Sequence, residues 1–222
     1  MLKRRYDAEL MDDFSIQDER IDEALRELKF INIFLGGKAT TAEGFRILRK
    51  REDVFRTWKV LDVGAGGADV FDSSTENLTI VALDRNPRTC AYIEKKSAST
   101  VVCGDARQLP FEPKSFDVVH ASLFLHHFTE KEIVNLLRSF VEVSKRGIII
   151  NDLRRSILAL AGIKILTMLF SKSKFVKNDG PLSVLRGFSK KDLQSILNQC
   201  DFKRYVLKRT WAFRWLVVID LS

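Results

Sequence analysis

Cysteine is scarce in this chain: Cys90, Cys103 and Cys200 are three in 222 residues, an odd and scattered set with no pair at metal-ligand spacing. That excludes a disulfide framework and a cysteine-based zinc site, so the expectation is reduced, buried thiols and no metal. Internal repeats and low-complexity segments are absent. Long apolar runs are absent too. The longest, "ILALAGIKILTMLF" at 157–170, is broken by Lys164, whereas crossing a bilayer takes about 20 apolar residues. The N-terminal "MLKRRYDAELMDDFSIQDER" lacks the apolar segment of a secretory signal peptide, which points to a cytoplasmic protein.

What is present is enough for one full core, since 45% of the residues are hydrophobic and a chain of this length buries most of its apolar surface. The formal net charge of +8 is unevenly spread: from Lys145 to Arg214 there are 16 Lys and Arg against four Asp, namely Asp152, Asp179, Asp192 and Asp201. The positive field therefore belongs to the C-terminal third.

Residues 7–57 read as helices. "IDEALRELKFINIFL" is helically periodic and is stopped by Gly36 and Gly37, and "TTAEGFRILRKREDVF" follows with Thr40 or Thr41 as its N-cap. From Lys59 the texture changes to short β-branched runs, "KVLDV", "LTIVALD", "TVVCGD", "FDVVHAS" and "RGIIIND", separated by crossovers. Continuous apolar strands of this kind predict an α/β fold with a mostly parallel sheet covered on both faces. After Asn151 come an apolar helix, a polar loop "SKSKFVKNDGP", a helix "SKKDLQSILNQC" capped by Ser189, and a hairpin "KRYVLKRTW"/"FRWLVVIDL". The expected division is an N-terminal helical cap at 1–57 and a core at 58–222 with a helical lid inserted at 153–188.

The chemistry gathers at strand ends. In a doubly wound sheet, ligands sit beyond the carboxyl ends of the strands at the switch point, and Gly64 and Gly66 follow "KVLDV" at that place. Side chains excluded there make room for a ligand against the turn. A dinucleotide would need Gly-x-Gly-x-x-Gly/Ala with a pyrophosphate at the helix N-terminus; here the last position is Asp69, a negative charge where phosphate would lie. Asp84 ends the second strand and can accept both hydroxyls of a ribose. Asp105 ends the third and can accept an adenine amino hydrogen. Two carboxylates around a nucleoside suit a cationic ligand better than an anionic one.

With "LDVGAGGAD", "ALDRNP", "GDARQLPF", "FDVVHASLFLHHF" and "IIIND" in register from Lys59 to Asp152, the sequence resembles the class I S-adenosylmethionine-dependent methyltransferases. The resemblance implies a Rossmann-like, doubly wound, seven-stranded sheet with the last strand antiparallel. It also implies S-adenosylmethionine as cofactor and S-adenosylhomocysteine as product. Carried onto matching positions, Gly64, Ala65 and Gly66 pack against the methionine and ribose portion, and Asp84 binds the ribose hydroxyls with Arg85 beside it. Asp105 and Ala106 read the adenine, Ser122 lies near the sulfonium, and Asp62 organises the turn or the ligand's amino group. The family's frequent third glycine is Ala68 here.

Candidate catalytic groups are His126, His127 and Asp152, each able to act as base for a phenol or enol, while His120 within a strand reads as buried and hydrogen-bonded. "ELMDD", "NDLRR" and "DGPLSVLRGFS" further resemble segments of bacterial small-molecule methyltransferases. They imply a small aromatic, quinol-like or polyketide-like acceptor methylated on oxygen or carbon. The alternative takes the basic C-terminal third, with Phe175, Phe188, Tyr205, Trp211 and Trp215 interleaved, as a surface for RNA or for an anionic membrane. "HASL" after the fourth strand lacks the Asn-Pro-Pro-aromatic motif of exocyclic amino methylases, against nucleic acid. A non-catalytic S-adenosylmethionine-binding protein is the third reading.

Overall fold

The computed structural model describes residues 2–49, 55–71 and 77–222. Seven strands, β1 Trp58–Val63, β2 Leu78–Asp84, β3 Thr100–Cys103, β4 Phe116–Ser122, β5 Ser144–Leu153, β6 Tyr205–Thr210 and β7 Arg214–Asp220, form one sheet in the order β3-β2-β1-β4-β5-β7-β6. Strands β1 to β5 are parallel, and β7 runs antiparallel to both β5 and β6. The sheet is thus the doubly wound α/β arrangement with an antiparallel last strand. Its order reverses between β1 and β4, where a ligand crevice is expected.

Burial follows from that order. Strands β4 and β7 are buried almost throughout, and Lys59 is the exposed residue of β1, as strands covered on both faces require. Edge strand β6 alternates instead. Successive residues point to opposite faces, so Leu61, Val63, Val119 and Ile150 join helices α4 (Glu130–Val143) and α7 (Lys190–Gln199) through Phe140 and Ile196. Val60, Val118, Ile149 and Leu216 meet Phe45 and Leu48 of α2 (Gly37–Leu48) on the other face. Ser189 caps α7 in a capping box with Asp192, as its sequence predicts.

Several expectations are corrected. Thr40 and Thr41 lie inside α2, each 2% exposed; the chain turns earlier, through Gly36 at φ +74°, a conformation that glycine adopts without steric cost. The stretch expected to extend this helix over 50–54 lies outside the described residues. The polar segment "SKSKFVKNDGP" falls largely within a helix, α6 (Lys174–Arg186), with Pro181 inside it. Tertiary contacts override its weak propensity: Phe175 and Val176 pack on Ala24 of α1 (Glu19–Phe34), and buried Asp179 accepts the backbone N–H groups of Leu10 and Met11 at 2.8 and 3.0 Å. Cys103 is exposed because β3 is an edge strand, while Cys90 is buried. Of the five interleaved aromatics, Phe175, Phe188 and Trp215 are core residues and Trp211 is the exposed one, so they form no stacking platform. Among the described residues no helix is long and apolar enough to cross a membrane.

Candidate active site

The turn after β1 is held from beneath. Pairing of β1 with β4 puts Asp62 beside His120, and Asp62 Oδ1 lies 2.7 Å from His120 Nδ1 while Thr41 Oγ1 is 3.0 Å from Nε2. His120 is fully buried, so this is a structural triad anchoring α2 to the sheet. Above it, the N–H groups of Gly64 and Ala65 donate to the Leu83 carbonyl at 2.9 and 3.1 Å. Gly66 N–H donates to Asp84 Oδ2 at 2.9 Å and Asn86 N–H to Oδ1 at 3.0 Å. Burial raises the Asp84 pKa against those two donors, and each oxygen keeps acceptor capacity for a ligand hydroxyl.

The glycines do different jobs. Gly64 (φ +63°) leaves room for a neighbour, not for a ligand, since an added Cβ would stand 2.1 Å from the Phe124 ring. Gly66 (φ +53°) faces open space: beyond its chain neighbours, no atom of the described residues lies within 4 Å of such a Cβ. Ala68 takes the left-handed conformation at φ +52°. Its buried methyl packs with Ala82 and Ile93, which offsets part of a strain of about 1–2 kcal/mol.

Asp105 lies two residues beyond the end of β3, not at it. Its carboxylate is gripped by Arg107 (Nη2–Oδ2 2.7 Å, Nε–Oδ1 3.1 Å), with Arg85 3.6 Å away, and the Arg107 bonds hold its pKa down. Ser122 Oγ is buried without a hydrogen-bond partner among the described residues. Asp69 is pushed up to about 6, chiefly by burial, with Lys29 at 3.5 Å.

A second cluster is built from segments distant in sequence. His126 Nδ1 lies 2.7 Å from Asp152 Oδ1, and His127 Nδ1 lies 2.8 Å from Asp12 Oδ1. Buried Glu9 stands between the rings, 3.6 Å from His126 Nε2 and 3.9 Å from His127 Nε2, and accepts from Ser183 Oγ at 2.8 Å. Arg186 ties the group together, donating to the carbonyls of His126, His127 and Asp7 and to Asp12 Oδ2. Burial opposes charge on His126, but Asp152 and Glu9 outweigh it and hold its pKa up at about 9. With its pKa held there, the ring is mostly imidazolium at neutral pH, which disfavours it as a base. Asp152 also departs from expectation: it is 1% exposed beneath His126 and is absent from the cavity wall, because the loop after β4 folds over it. The donor atoms of Glu9, His126 and His127 lie within 4.8 Å of one another, spacing that an ion could bridge.

One cavity of about 880 Å³ joins both clusters, within the range of about 300–1,000 Å³ usual for small-molecule sites. Asp62, Gly64, Ala65, Gly66, Asp84, Arg85, Asp105, Ala106, Ser122, His126 and His127 all line it. Glu9, Asp12 and Ser183 line it too and were not singled out as site residues; their signal was confined to the resembling segments "ELMDD" and "DGPLSVLRGFS".

Residues 60–147 match the family model described as a methyltransferase domain. An uncharacterized methyltransferase of Synechocystis sp. (strain ATCC 27184 / PCC 6803 / Kazusa) is 34% identical over 92 residues, covering 40% of this chain and 43% of that protein. The chain thus aligns with less than half the length of that curated relative. Among solved structures, magnesium protoporphyrin IX methyltransferase from Synechocystis PCC 6803 with bound SAM superposes with a TM-score of 0.62 at 13% identity, over 97% of this chain and 100% of that one. A SAM-dependent methyltransferase from Aquifex aeolicus gives 0.57 at 15% identity, over 81% and 89%. At such identities these likenesses establish the fold.

Proposed function

From a chain whose residues 60–147 match the methyltransferase domain model, and whose sheet resembles that of solved S-adenosylmethionine-dependent methyltransferases, we propose that it binds S-adenosylmethionine and moves its methyl group to oxygen or carbon of a small aromatic, quinol-like or polyketide-like acceptor. The observation that carries this reading is the open cradle at Gly66, beside the spare acceptor capacity of Asp84 and the orphaned hydroxyl of Ser122, all on one cavity wall. These residues fit the cofactor. Asp84 would take the ribose hydroxyls, Asp105 and Ala106 the adenine edge, Ala65 and Gly66 the backbone approach, and Ser122 the region of the sulfonium.

Bound there, the cofactor supplies a methyl on a sulfonium that leaves as a neutral thioether. The chain's own task is alignment, exclusion of water and removal of the acceptor's proton. His127 is placed for the last of these. Its Nδ1–H donates to Asp12, held well below the usual carboxylate range despite burial by the His127 bond. In the neutral ring Nε2, 3.9 Å from Glu9 Oε2, then carries the lone pair. Apolar Leu28, Ile31, Phe128, Ile163 and Val184 line the remaining wall, which suits an aromatic acceptor.

Calorimetric titration with S-adenosylmethionine and S-adenosylhomocysteine, with NAD as control, tests the cofactor. Micromolar binding of the first two and none of NAD is expected; absence of both overturns the reading. A screen of phenols, quinols and polyketides then tests the acceptor. On a substrate found this way, His127→Ala should lose about 100-fold or more in kcat with S-adenosylhomocysteine affinity unchanged. Unchanged turnover would remove the base assignment.

A further inference from the structure

Helix α5 (Ile157–Phe170) is apolar nearly all round yet buries only Ala159 and Thr167. Ile157, Leu158, Ile165, Met168, Leu169 and Phe170 are 55–75% exposed. A helix of that composition belongs in a core or in lipid. The exposed surface continues onto α1: Ser171 and Lys172, just past α5, donate to Glu27 of α1, and the same helical face carries Phe30 and Phe34, 72% and 67% exposed. Beyond α1, Trp211, 75% exposed, stands against Gly36, with its Cδ1 2.9 Å from where a Cβ would be. Helix α5, helix α1 and Trp211 each also supply cavity wall, through Gly162, Ile163, Leu28, Ile31 and the Trp211 ring. The apolar surface is therefore a rim around the cavity mouth.

Charge says what the rim meets. Between residues 157 and 186 the exposed charged side chains are Lys164, Lys172, Lys174 and Lys177. The acid in that stretch, Asp179, is buried and taken up by two backbone N–H groups. Apolar side chains flanked by lysines whose stems reach headgroups form the pattern of an interfacial element on anionic lipid. We propose that α5, the outer face of α1 and Trp211 dock on an anionic bilayer, with the cavity mouth turned toward the lipid. Docking does not depend on what the cavity transfers, and it makes a lipid-dissolved acceptor the class that reaches the mouth without crossing water.

The test is co-sedimentation of the full chain with phosphatidylcholine vesicles, with and without about one-third phosphatidylserine, at low and high salt. Tryptophan emission is followed in parallel, since Trp58 and Trp215 are buried and Trp211 is the tryptophan free to respond. Expected are binding to the anionic vesicles, weakening with salt, and a blue shift lost in Trp211→Phe. Phe34→Asp with Phe170→Asp, and separately Lys164→Glu with Lys172→Glu and Lys174→Glu, should each lower partitioning about tenfold or more. Neither set lies on the cavity wall, so S-adenosylhomocysteine affinity should be unchanged and certifies the fold. Failure to bind anionic vesicles overturns the proposal, as does binding indifferent to both variant sets. A dimer in solution that Phe170→Asp splits into monomers also overturns it, by showing that a second copy covers the face.

Discussion

At the level of single residues, buried His126 makes the sharpest statement, because its charge is bound up with the fold. Its folded pKa, about 9, lies above the ordinary value near 6.5, so the folded state binds the proton more tightly than the unfolded one. The resulting stabilisation, on the order of 2–4 kcal/mol, is fully present below about pH 6.5 and is lost as pH rises through about 9. Thermal melts from pH 6 to 10 should show that loss, and Asp152→Asn should flatten the slope whatever it does to absolute stability. An equally steep slope in the variant would mean that another group titrates. Asp84 tests the other end of the cavity. If Asp84 holds the ribose as proposed, Asp84→Ala removes an acceptor for two cofactor hydroxyls, at about 1.5–3 kcal/mol each, and frees the N–H groups of Gly66 and Asn86, so S-adenosylhomocysteine affinity should fall more than 100-fold by calorimetry. A change under threefold would displace the ribose from this carboxylate. Asp84 was legible in the sequence because a strand ending in a carboxylate announces itself locally. Glu9, Asp12 and Arg186 were not, since no spacing rule brings residues from the first and last parts of a chain onto one histidine pair.

Elements show the same division between local and distant causes. The central strands β4 and β7 were legible as continuous apolar runs, because burial on both faces leaves no room for polar alternation, whereas edge strand β6, which alternates, was legible as one arm of a hairpin. Helix α6 could not: its apolar residues Phe175, Val176 and Val184 meet α1 and the cavity, and the Asn-Asp-Gly-Pro within it is turn chemistry by every local measure. The glycine turn was half legible. Its position was clear, but which glycine faces ligand and which faces Phe124 is a matter of packing. That distinction predicts opposite phenotypes. Gly64→Ala should lose roughly 2–5 kcal/mol of stability, from left-handed strain and collision with the ring. Gly66→Ala should lose only about 1–2 kcal/mol yet weaken cofactor binding, since its methyl enters the cavity. Denaturant melts and calorimetry on the two variants separate these effects; equal loss of stability would mean that the turn is repacked from the described arrangement.

For the molecule as a whole, the sheet supplies fixed strand ends while both ends of the cavity are closed by chain brought from elsewhere. The segment before α1 reaches the site through Glu9 and Asp12, and α5 and α6 reach it from the stretch of chain between β5 and α7. These parts are joined to each other more than to the sheet: Arg5 N–H donates to the Leu185 carbonyl, Leu10 and Met11 donate to Asp179, and Arg186 holds Asp7 and Asp12. Arg214, bonding Asn32, Leu35 and Asn151, ties the end of α1 to β5. Such a wall, with fewer buried apolar contacts than the sheet, opens at lower free energy than the core does. A ligand touching both should stabilise the wall most, since ordered strands have little protection left to gain. Hydrogen exchange with and without S-adenosylhomocysteine should therefore slow most across residues 7–35 and 157–186, with β4 and β7 nearly unchanged. Protection confined to the β1 turn and Asp84 would mean that the cofactor alone leaves this wall as it is, and that any closure belongs to the acceptor's arrival.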